Sequence, residues 1–343
     1  MSAVKYDLEK RIKGRSMLKD VLPLKMPYSC NVFAANVCNF KCYYCINADS
    51  NKKMQFGISN TMLSYKDFVS IVDNFSGIYQ LKSMLFTGVG EPLLNKEITQ
   101  MFRYAKEKQI AEKLEVITNG SCFTEELCED IMDSRLDRIR ISLNGLSEED
   151  YKANCCVDLD YKAFKNNLKY LYEYRNKHNK NLQIYIKIMD VMVEDACKKK
   201  QFYDEYENLC DDIFIESIMP VNNISYDDSP DKFSKTLFGE NVRDNPCSIC
   251  PQPFYSFSIG TKGEVYPCCQ IPTPESIGNL LEKNLSEIWN GREYIDFLIS
   301  VLNGEFKKLP VCDKCKKYEY MTLETDILDG YAEPLIEKYK KML

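Results

Sequence analysis

The chain has 343 residues and a formal net charge of −6 at pH 7, which argues against a broad nucleic-acid-binding face because such faces are basic. It contains 16 cysteines, but it has no apolar leader and no run of about 18 apolar residues. We therefore expect a cytoplasmic protein without a membrane span, in which cysteine serves metal or redox chemistry. The one histidine, His178, lies in the polar run RNKHNKN, which excludes a Ser-His-Asp triad, a Cys-His pair and a histidine-rich zinc site.

Strands and helices alternate after residue 28. Apolar runs predict six strands, at 30–37, 82–87, 114–118, 138–143, 181–189 and 212–219. Ser64 and Thr124 are predicted to cap two helices, further helices are expected at 96–108 and 163–175, and a charged helix precedes the sixth strand. This order predicts an α/β fold with a parallel sheet, either a partial barrel or an open doubly wound sheet. In both cases ligands should gather at the carboxyl ends of the strands.

The sequence divides into five segments. An N-terminal extension (1–27) precedes the α/β domain (28–220). A segment rich in turn-forming residues then predicts a linker (221–246). A compact cysteine-rich domain (247–320) follows, with a hairpin that turns at Lys262 and Gly263 and a helix near 285–299. The tail (321–343) has an amphipathic helical pattern, and we expect it to pack on the first domain.

Three cysteines form the motif CNFKCYYC after the first predicted strand. Thiolates are the usual protein ligands of iron–sulfur clusters, and a [4Fe–4S] cube needs one ligand for each iron. Zinc is the alternative, but it would want a fourth ligand, and no other Cys or His lies within 70 residues after Cys45. We therefore predict that Cys38, Cys42 and Cys45 hold a [4Fe–4S] cluster and leave one iron open to a small molecule.

This triad, with Tyr44 before its last cysteine, resembles the signature of the radical SAM superfamily. The segment FTGVGEPLLN (86–95) resembles the glycine-rich segment of that family, which binds the amino group of S-adenosylmethionine, although many members have GGE where this chain has GVGE. Gly88 and Gly90 would let the backbone approach the ligand, and Glu91 could receive its ammonium group. The resemblance covers about residues 28–220 and implies a partial (β/α)6, TIM-like barrel whose cluster binds S-adenosylmethionine.

Two further segments, ITNG (117–120) and ISLNG (141–145), resemble those that follow the third and fourth strands in this family. The resemblance implies cofactor contacts by Asn119, by Ser142 to the ribose or carboxylate, and by Asn144, which stands where an aspartate is common. Lys187 stands where a basic residue often pairs with the cofactor carboxylate. Asn119 could instead be a turn residue, and Lys187 a surface lysine.

Six cysteines, at 247, 250, 268, 269, 312 and 315, resemble the pattern of the SPASM extension, called twitch when shortened. The resemblance implies one auxiliary [4Fe–4S] cluster, ligated by protein at all four irons. Its expected ligands are Cys250, Cys268, Cys312 and Cys315, with Cys247 and Cys269 spare or replacing a neighbour. Zinc is again the alternative, although the spacing between the two C-x2-C pairs is longer than that of common zinc sites.

The resemblance implies reductive cleavage of S-adenosylmethionine to a 5′-deoxyadenosyl radical that abstracts a substrate hydrogen. An auxiliary cluster suggests an electron acceptor, so a two-electron oxidation of a small alcohol, sugar or cyclitol is expected. The alternatives are a maturase that oxidises, cross-links or epimerises a ribosomally made peptide, and, in another class, a non-catalytic iron–sulfur electron carrier. The expected partners are a flavodoxin or ferredoxin as electron donor and a small-molecule or peptide substrate, with nucleic acid disfavoured by the acidic charge.

No catalytic base can be assigned from the sequence, although glutamate, lysine or tyrosine could serve because histidine cannot. Cys155 and Cys156, in a predicted loop after the fourth strand, could be a hydrogen-atom donor to a substrate radical or two small hydrophobic residues.

Overall fold

The computed structural model describes residues 4–5, 13–75, 80–178, 180–219, 233–237, 239–243, 247–269, 273–313 and 315–343. All six predicted strands are present. They are parallel to one another and pair in chain order. Following a short strand β1 (Val4–Lys5), they are β2 (Ser29–Phe33), β3 (Leu81–Thr87), β4 (Ala111–Thr118), β5 (Arg138–Leu143), β6 (Gln183–Met189) and β7 (Asp212–Glu216).

The sheet is open. Strand β1 pairs with β7 at one edge, and β8 (Ser256–Ile259) pairs in parallel with β2 on the other side. Strands β9 (Glu264–Tyr266) and β10 (Gly278–Asn279) then continue the sheet in antiparallel fashion. The predicted α/β partial barrel is confirmed, and its sheet runs on into the cysteine-rich segment. The domain boundaries given above remain predictions, and most of the predicted linker (221–246) lies outside the described residues.

The helices cover the sheet between its strands. The helices begin in different ways, and in two of them the predicted capping side chain accepts a free backbone N–H: Ser64 accepts from Asp67 and Thr124 from Leu127. They are α1 (Leu18–Val21), α2 (Ser50–Gln55), α3 (Tyr65–Asp73), α4 (Ile98–Glu107), α5 (Glu125–Asp133), α6 (Glu148–Cys155), α7 (Tyr161–Lys177), α8 (Ala196–Tyr206), α9 (Leu285–Trp289), α10 (Arg292–Leu302), α11 (Pro310–Asp313), α12 (Lys317–Met321) and α13 (Ala332–Lys340).

Several predicted elements differ from the structure, and among them the third predicted strand begins at Ala111 and the sixth ends at Glu216. The first strand ends at Phe33 rather than at residue 37, because the chain turns away and Ala35 forms an isolated bridge with Met62. The predicted helix at 285–299 is two helices, interrupted at Asn290 and Gly291. Cys155 is the last residue of helix α6 and not part of a loop, since Ser147 caps a helix there that we did not predict.

The N-terminal segment packs against the C-terminal part of the chain. The indole N–H of Trp289 donates to the carbonyl of Leu24 at 3.0 Å, and Lys338 donates to the carbonyl of Leu22 at 3.1 Å. Arg15 forms two hydrogen bonds with the buried carboxylate of Asp326, at 2.8 and 2.7 Å. The two ends of the chain therefore form one layer beside the sheet. Within the described residues, no helix is both long and apolar enough to cross a bilayer.

Candidate functional site

The cysteine triad lies in the loop that leaves the carboxyl end of β2. Two other segments hold this loop through backbone hydrogen bonds. The amide groups of Lys41 and Tyr43 donate to the carbonyls of Cys155 and Asn154, at 2.9 and 3.0 Å. On the other side, Gly90 N–H donates to the carbonyl of Ala35, and Glu91 N–H to that of Val37, both at 2.9 Å. Cys42 is therefore fixed by the end of α6, and the chain before Cys38 by the segment after β3.

Each of the three sulfurs has a hydrogen-bonding group beside it. Cys38 Sγ lies 3.4 Å from the backbone nitrogen of Phe40, and Cys45 Sγ lies 3.8 Å from the side-chain nitrogen of Asn47. Cys42 Sγ lies 3.4 Å from the sulfur of Cys155. Neutral donors of this kind stabilise sulfur ligands that carry negative charge in a cluster. The residues present therefore fit an iron–sulfur cluster.

Burial governs the titration of the triad. It raises the pKa of Cys38 to about 12 and also raises the pKa of Cys45, because a thiolate is poorly solvated there. The pKa of Cys42 is instead held below its ordinary value by the hydrogen bond with Cys155. A bound iron atom would favour the thiolate at all three positions, since a metal ion carries the compensating charge.

The glycines of the GVGE segment are required by the protein's own backbone. A Cβ atom on Gly90 would lie 2.6 Å from the carbonyl oxygen of Ala35 and 2.6 Å from the nitrogen of Val37, and closer still to the oxygen of Val37. Gly88 has φ +125°, and a Cβ atom there would meet the ring of Phe33 at 2.6 Å. Close approach to residues 33–37 is thus one reason for these glycines, and their predicted contact with a ligand stays a prediction.

A second cysteine site lies in the C-terminal region. Cys250, Cys268, Cys312 and Cys315 line one cavity, which is partly open to solvent. Burial raises the pKa of the Cys250 thiol well above its ordinary value, and the three other thiols raise it further. The remaining side chains that line the cavity are apolar: Pro253, Pro274, Phe297, Val301, Phe306, Val311 and Tyr318. Four thiols around one apolar space fit a cluster with a protein ligand at every iron.

Cys247 and Cys269, the two alternative ligands, do not line this cavity. Cys247 Sγ lies 3.4 Å from the carbonyl oxygen of Tyr318, and the ammonium group of Lys317 lies 3.3 Å from Cys269 Sγ. Cys250, Cys268, Cys312 and Cys315 therefore lie around one cavity, and their assignment as the cluster ligands stays a prediction.

Paired strands join the two cysteine sites. Strand β2 leads into the triad at its carboxyl end, while Cys250 precedes β8, whose first residue pairs with the first residue of β2. Ser258 on β8 donates to the carbonyl of Cys268 at 2.8 Å and lies 3.4 Å from the amide nitrogen of Asn31 on β2. Five residues at about 3.3 Å each span about 16 Å. The two sites thus lie toward opposite ends of this strand pair.

Comparison with known proteins identifies the family. The family model described as Radical SAM superfamily matches residues 32–208, and the model described as an iron–sulfur cluster-binding domain, SPASM, matches residues 250–316. The chain belongs to the radical SAM superfamily. As the sequence predicted, its radical SAM domain binds a [4Fe–4S] cluster and S-adenosylmethionine, and its SPASM domain implies an auxiliary iron–sulfur cluster.

Two curated relatives match different lengths of the chain. GTP 3′,8-cyclase 2 of Pseudomonas aeruginosa is 32% identical over 116 residues, which is 34% of this chain and 33% of the cyclase. The match thus spans about a third of that protein. The tungsten-containing aldehyde ferredoxin oxidoreductase cofactor-modifying protein of Pyrococcus furiosus is 23% identical over 320 residues, covering 81% of this chain and 84% of its own.

Solved structures share the fold. BtrN in complex with AdoMet and 2-DOIA matches with a TM-score of 0.52 and 15% identity, over 85% of this chain and 93% of BtrN. SuiB of Streptococcus suis, bound to its precursor peptide SuiA, matches with a TM-score of 0.52 and 16% identity, over 88% of this chain and 72% of SuiB. At these identities the likeness shows the fold alone.

Glu91, a predicted cofactor contact of this radical SAM chain, is already surrounded by protein donors. Its side chain is 2% exposed, and Oε1 accepts hydrogen bonds from Leu93 N–H at 3.0 Å and from the Thr118 hydroxyl at 2.6 Å. Oε2 accepts from Asn119 N–H at 2.7 Å. Burial raises the pKa of this carboxyl group. Glu91 therefore ties the segments after β3 and β4 together, whatever contact it makes with the cofactor.

Asn119 has one of the two roles considered for it in the sequence, that of a turn residue, and its contact with the cofactor stays a prediction. Its side-chain oxygen accepts from Ser121 N–H at 2.9 Å, which is a local turn interaction. Its side-chain nitrogen lies 3.1 Å from the amide oxygen of Asn39 and 3.9 Å from Cys38 Sγ. The residue is thus a turn residue that also touches the triad.

The other predicted contacts lie at the carboxyl ends of β5 and β6 or beside them. Ser142 and Lys187 are paired in register on these two strands. Lys187 forms an ion pair with Glu216 on β7, and both side chains are largely buried, so the lysine is not a freely solvated surface residue. The hydroxyl group of Tyr44 donates to the side-chain oxygen of Asn144, which links the triad to the end of β5.

The sequence reasoning missed three residues around the triad. Lys53 on α2 is buried and donates to the carbonyl of Asn36 and to Asn60, the latter at 2.7 Å. Burial lowers its pKa, while the thiolate charges of the triad oppose this change. The other two are Asn47 and Cys155. Lys53 could have been noticed, because a lysine eight residues after the last cysteine of the motif is visible in the sequence. No local pattern indicates that Cys155 lies against Cys42.

Proposed function

We propose that this protein is a radical SAM dehydrogenase that removes two hydrogens from a small alcohol, sugar or cyclitol. The observation that carries the proposal is the closed site in the C-terminal region, where four thiols surround one apolar cavity. A cluster ligated at every iron has no position for a substrate, and its use is therefore electron transfer. An electron acceptor within the protein favours net oxidation of the substrate over hydrogen return or rearrangement.

The ligands we propose follow from the geometry of the two sites. When bound at the triad, the cluster and S-adenosylmethionine supply a radical that abstracts a hydrogen atom from the substrate. Cys38, Cys42 and Cys45 would hold this cluster, and Cys250, Cys268, Cys312 and Cys315 the auxiliary one. The residues that we propose to contact S-adenosylmethionine lie in the triad loop, in the segments after β3 and β4, and on or just after β5 and β6: Tyr44, Gly88, Gly90, Glu91, Asn119, Ser142, Asn144 and Lys187.

The protein would supply orientation and a closed environment for this chemistry. The loop that carries the triad is fixed on both sides by backbone hydrogen bonds, so the three thiols that would hold the cluster keep constant positions. Glu91 and Asn119 join the segments after β3 and β4 to this loop. Such positioning raises reaction rates because the reacting groups need no further ordering.

The first experiment separates the two clusters. After anaerobic reconstitution the wild-type chain should hold about eight irons, and Cys38→Ala and Cys250→Ala about four each. We expect Cys38→Ala to abolish formation of 5′-deoxyadenosine, and Cys250→Ala to retain it. Cys128→Ala, which removes a buried thiol on α5, serves as the control and should keep eight irons. Cleavage of S-adenosylmethionine by Cys38→Ala would disprove the assignment of the triad.

The second experiment tests dehydrogenation. Sugars, cyclitols and simple alcohols are incubated with the reduced enzyme and S-adenosylmethionine, and each product is examined for the loss of two hydrogens. We expect one 5′-deoxyadenosine for each oxidised product in the wild type. Cys250→Ala should form 5′-deoxyadenosine without the oxidised product. Substrate oxidation at the wild-type rate in this variant would refute an electron-accepting role for the second site.

A peptide maturase is the second candidate, because SuiB bound to its precursor peptide matches 88% of this chain in fold. The same assay distinguishes the two with short peptides in place of alcohols. A peptide product that is cross-linked or has lost two hydrogens would show that the protein is a maturase and not a dehydrogenase of small alcohols. A non-catalytic electron carrier would instead hold both clusters and form no 5′-deoxyadenosine with any of these compounds.

A further inference from the structure

A fourth thiol lies directly against the triad. The sulfur of Cys155 is 3.4 Å from the sulfur of Cys42, and Cys155 is fully buried. Helix α6 ends at this residue because Cys156 adopts the left-handed conformation, with φ 51°. The final turn of the helix therefore presents a buried S–H group to one proposed cluster ligand.

The backbone fixes this contact on both sides of Cys42. The amide groups of Lys41 and Tyr43, its two neighbours, donate to the carbonyls of Cys155 and Asn154, at 2.9 and 3.0 Å. Asn154 is itself held, since its side chain donates to the carbonyl of Asn144 at 2.7 Å. The position of Cys155 relative to Cys42 thus follows from main-chain pairing and not only from the rotamers of two side chains.

Hydrogen bonds to the sulfurs of a cluster are one determinant of its reduction potential. A cysteine bound to iron carries no proton and can only accept, whereas a free thiol is a donor, although a weak one. A donor stabilises the reduced cluster more than the oxidised cluster, because the reduced form carries one more negative charge.

We propose that the Cys155 thiol donates a hydrogen bond to the Cys42 sulfur and raises the reduction potential of the cluster that the triad holds. Cys155 is then a positioning and tuning residue that acts through Cys42. The inference rests on the proposed function in one respect, namely that Cys38, Cys42 and Cys45 bind the cluster.

The test is a redox titration of reconstituted, full-length protein, followed by electron paramagnetic resonance. Only a cluster with an open iron changes its spectrum when S-adenosylmethionine is added, which separates its signal from that of the auxiliary cluster. The variants are Cys155→Ala, which removes the donor, and Cys155→Ser, which keeps a donor on a shorter side chain. Cys128→Ala again removes a buried thiol elsewhere.

We expect full iron content in all three variants and a more negative potential in Cys155→Ala. A weak hydrogen bond should correspond to about a threefold lower ratio of reduced to oxidised cluster at a given potential, or ~30 mV for one electron. Cys155→Ser should fall between Cys155→Ala and the wild type, and Cys128→Ala should match the wild type.

An unchanged potential in Cys155→Ala would overturn the proposal, as would loss of about four irons in both Cys155 variants, which would make Cys155 a ligand. If Cys155→Ala does not fold, Cys155→Val takes its place, since valine has a similar volume and no donor, and an unchanged potential in that variant overturns the proposal. A wild-type protein with no signal that responds to S-adenosylmethionine would instead contradict the assignment of the triad, so the two failures are distinguishable.

Discussion

Replacing Gly90 with alanine tests whether the GVGE segment is primarily a scaffold for the triad or a surface for the cofactor. The added Cβ atom would lie 2.6 Å from the carbonyl oxygen of Ala35 and from the nitrogen of Val37. Both are backbone atoms, so no side chain can rotate away. Ordinary contact requires about 3.5 Å, and residues 35–37 would therefore have to move by about 1 Å.

Overpacking of this kind costs about 1–3 kcal/mol. For a chain of 343 residues this corresponds to a decrease in Tm of about 1–4 °C. Because the displaced residues precede Cys38, we also expect Gly90→Ala to lose part of the iron at the triad. In molecules that keep the cluster, affinity for S-adenosylmethionine should remain close to that of the wild type.

The assays are thermal unfolding under anaerobic conditions, iron content, and binding of S-adenosylmethionine per intact cluster. Gly330→Ala is the matched control, since Gly330 has φ +80° and a Cβ atom there would meet nothing within 4 Å. Its cost is conformational, about 1–2 kcal/mol, and should leave the iron content unchanged. A Gly90→Ala protein with full iron, an unchanged Tm and weak cofactor binding would refute the scaffold interpretation.

Two ion pairs give further predictions. Lys187→Met and Glu216→Gln should each lower the free energy of unfolding by about 1–2 kcal/mol, measured by thermal unfolding. Because each substitution breaks the same ion pair, the loss in the double variant should be smaller than the sum of the two single losses. A loss of cofactor affinity in Lys187→Met alone would instead favour a contact with S-adenosylmethionine. Arg15→Met leaves the buried carboxylate of Asp326 without its partner, and we expect a cost of about 1–3 kcal/mol and faster proteolysis of the N-terminal segment. Arg103→Met, at an exposed pair, should change stability by less than 0.5 kcal/mol, and equal effects in the two arginine variants would contradict this reasoning.

The alternation of strands and helices could be predicted because its signals are local. Strand β5 has the bounds that the apolar run indicates, and Ser64 and Thr124 cap the helices that begin at them. Helix α6 has comparable signals in Ser147 and the acidic residues that follow it, so this helix could also have been predicted.

The pairing of β8 with β2 could not be predicted in this way. The two strands are separated by more than 220 residues, and their register depends on contacts such as that between Asn31 and Ser258. The early end of β2 has a similar cause, because residues 34–37 pair with Thr61, Met62 and the GVGE segment instead of continuing the strand. Long-range pairing leaves no periodic pattern in either partner.

The candidate site likewise has features that could be predicted from local sequence and features that could not. The auxiliary ligands were predicted from the family resemblance. The ligands of the triad were predicted from cysteine spacing, because one short loop carries all three thiols. The contacts that orient those thiols come from three distant segments: the end of α6, the turn after β3 and the turn after β4. Cys155 and Asn119 lie beside sulfurs of the triad, whereas the turn after β3 holds the loop through backbone amide groups, and such contacts have no sequence signature.

This arrangement limits what activity measurements alone can establish. Gly90, Glu91 and Asn119 each contact residues that fix the triad, so substitution of any of them would disturb the cluster and the cofactor site together. A variant without activity is therefore consistent with either role. Affinity measured per intact cluster separates the two, because damage to the scaffold lowers the number of clusters, whereas loss of a direct contact lowers the affinity of each one.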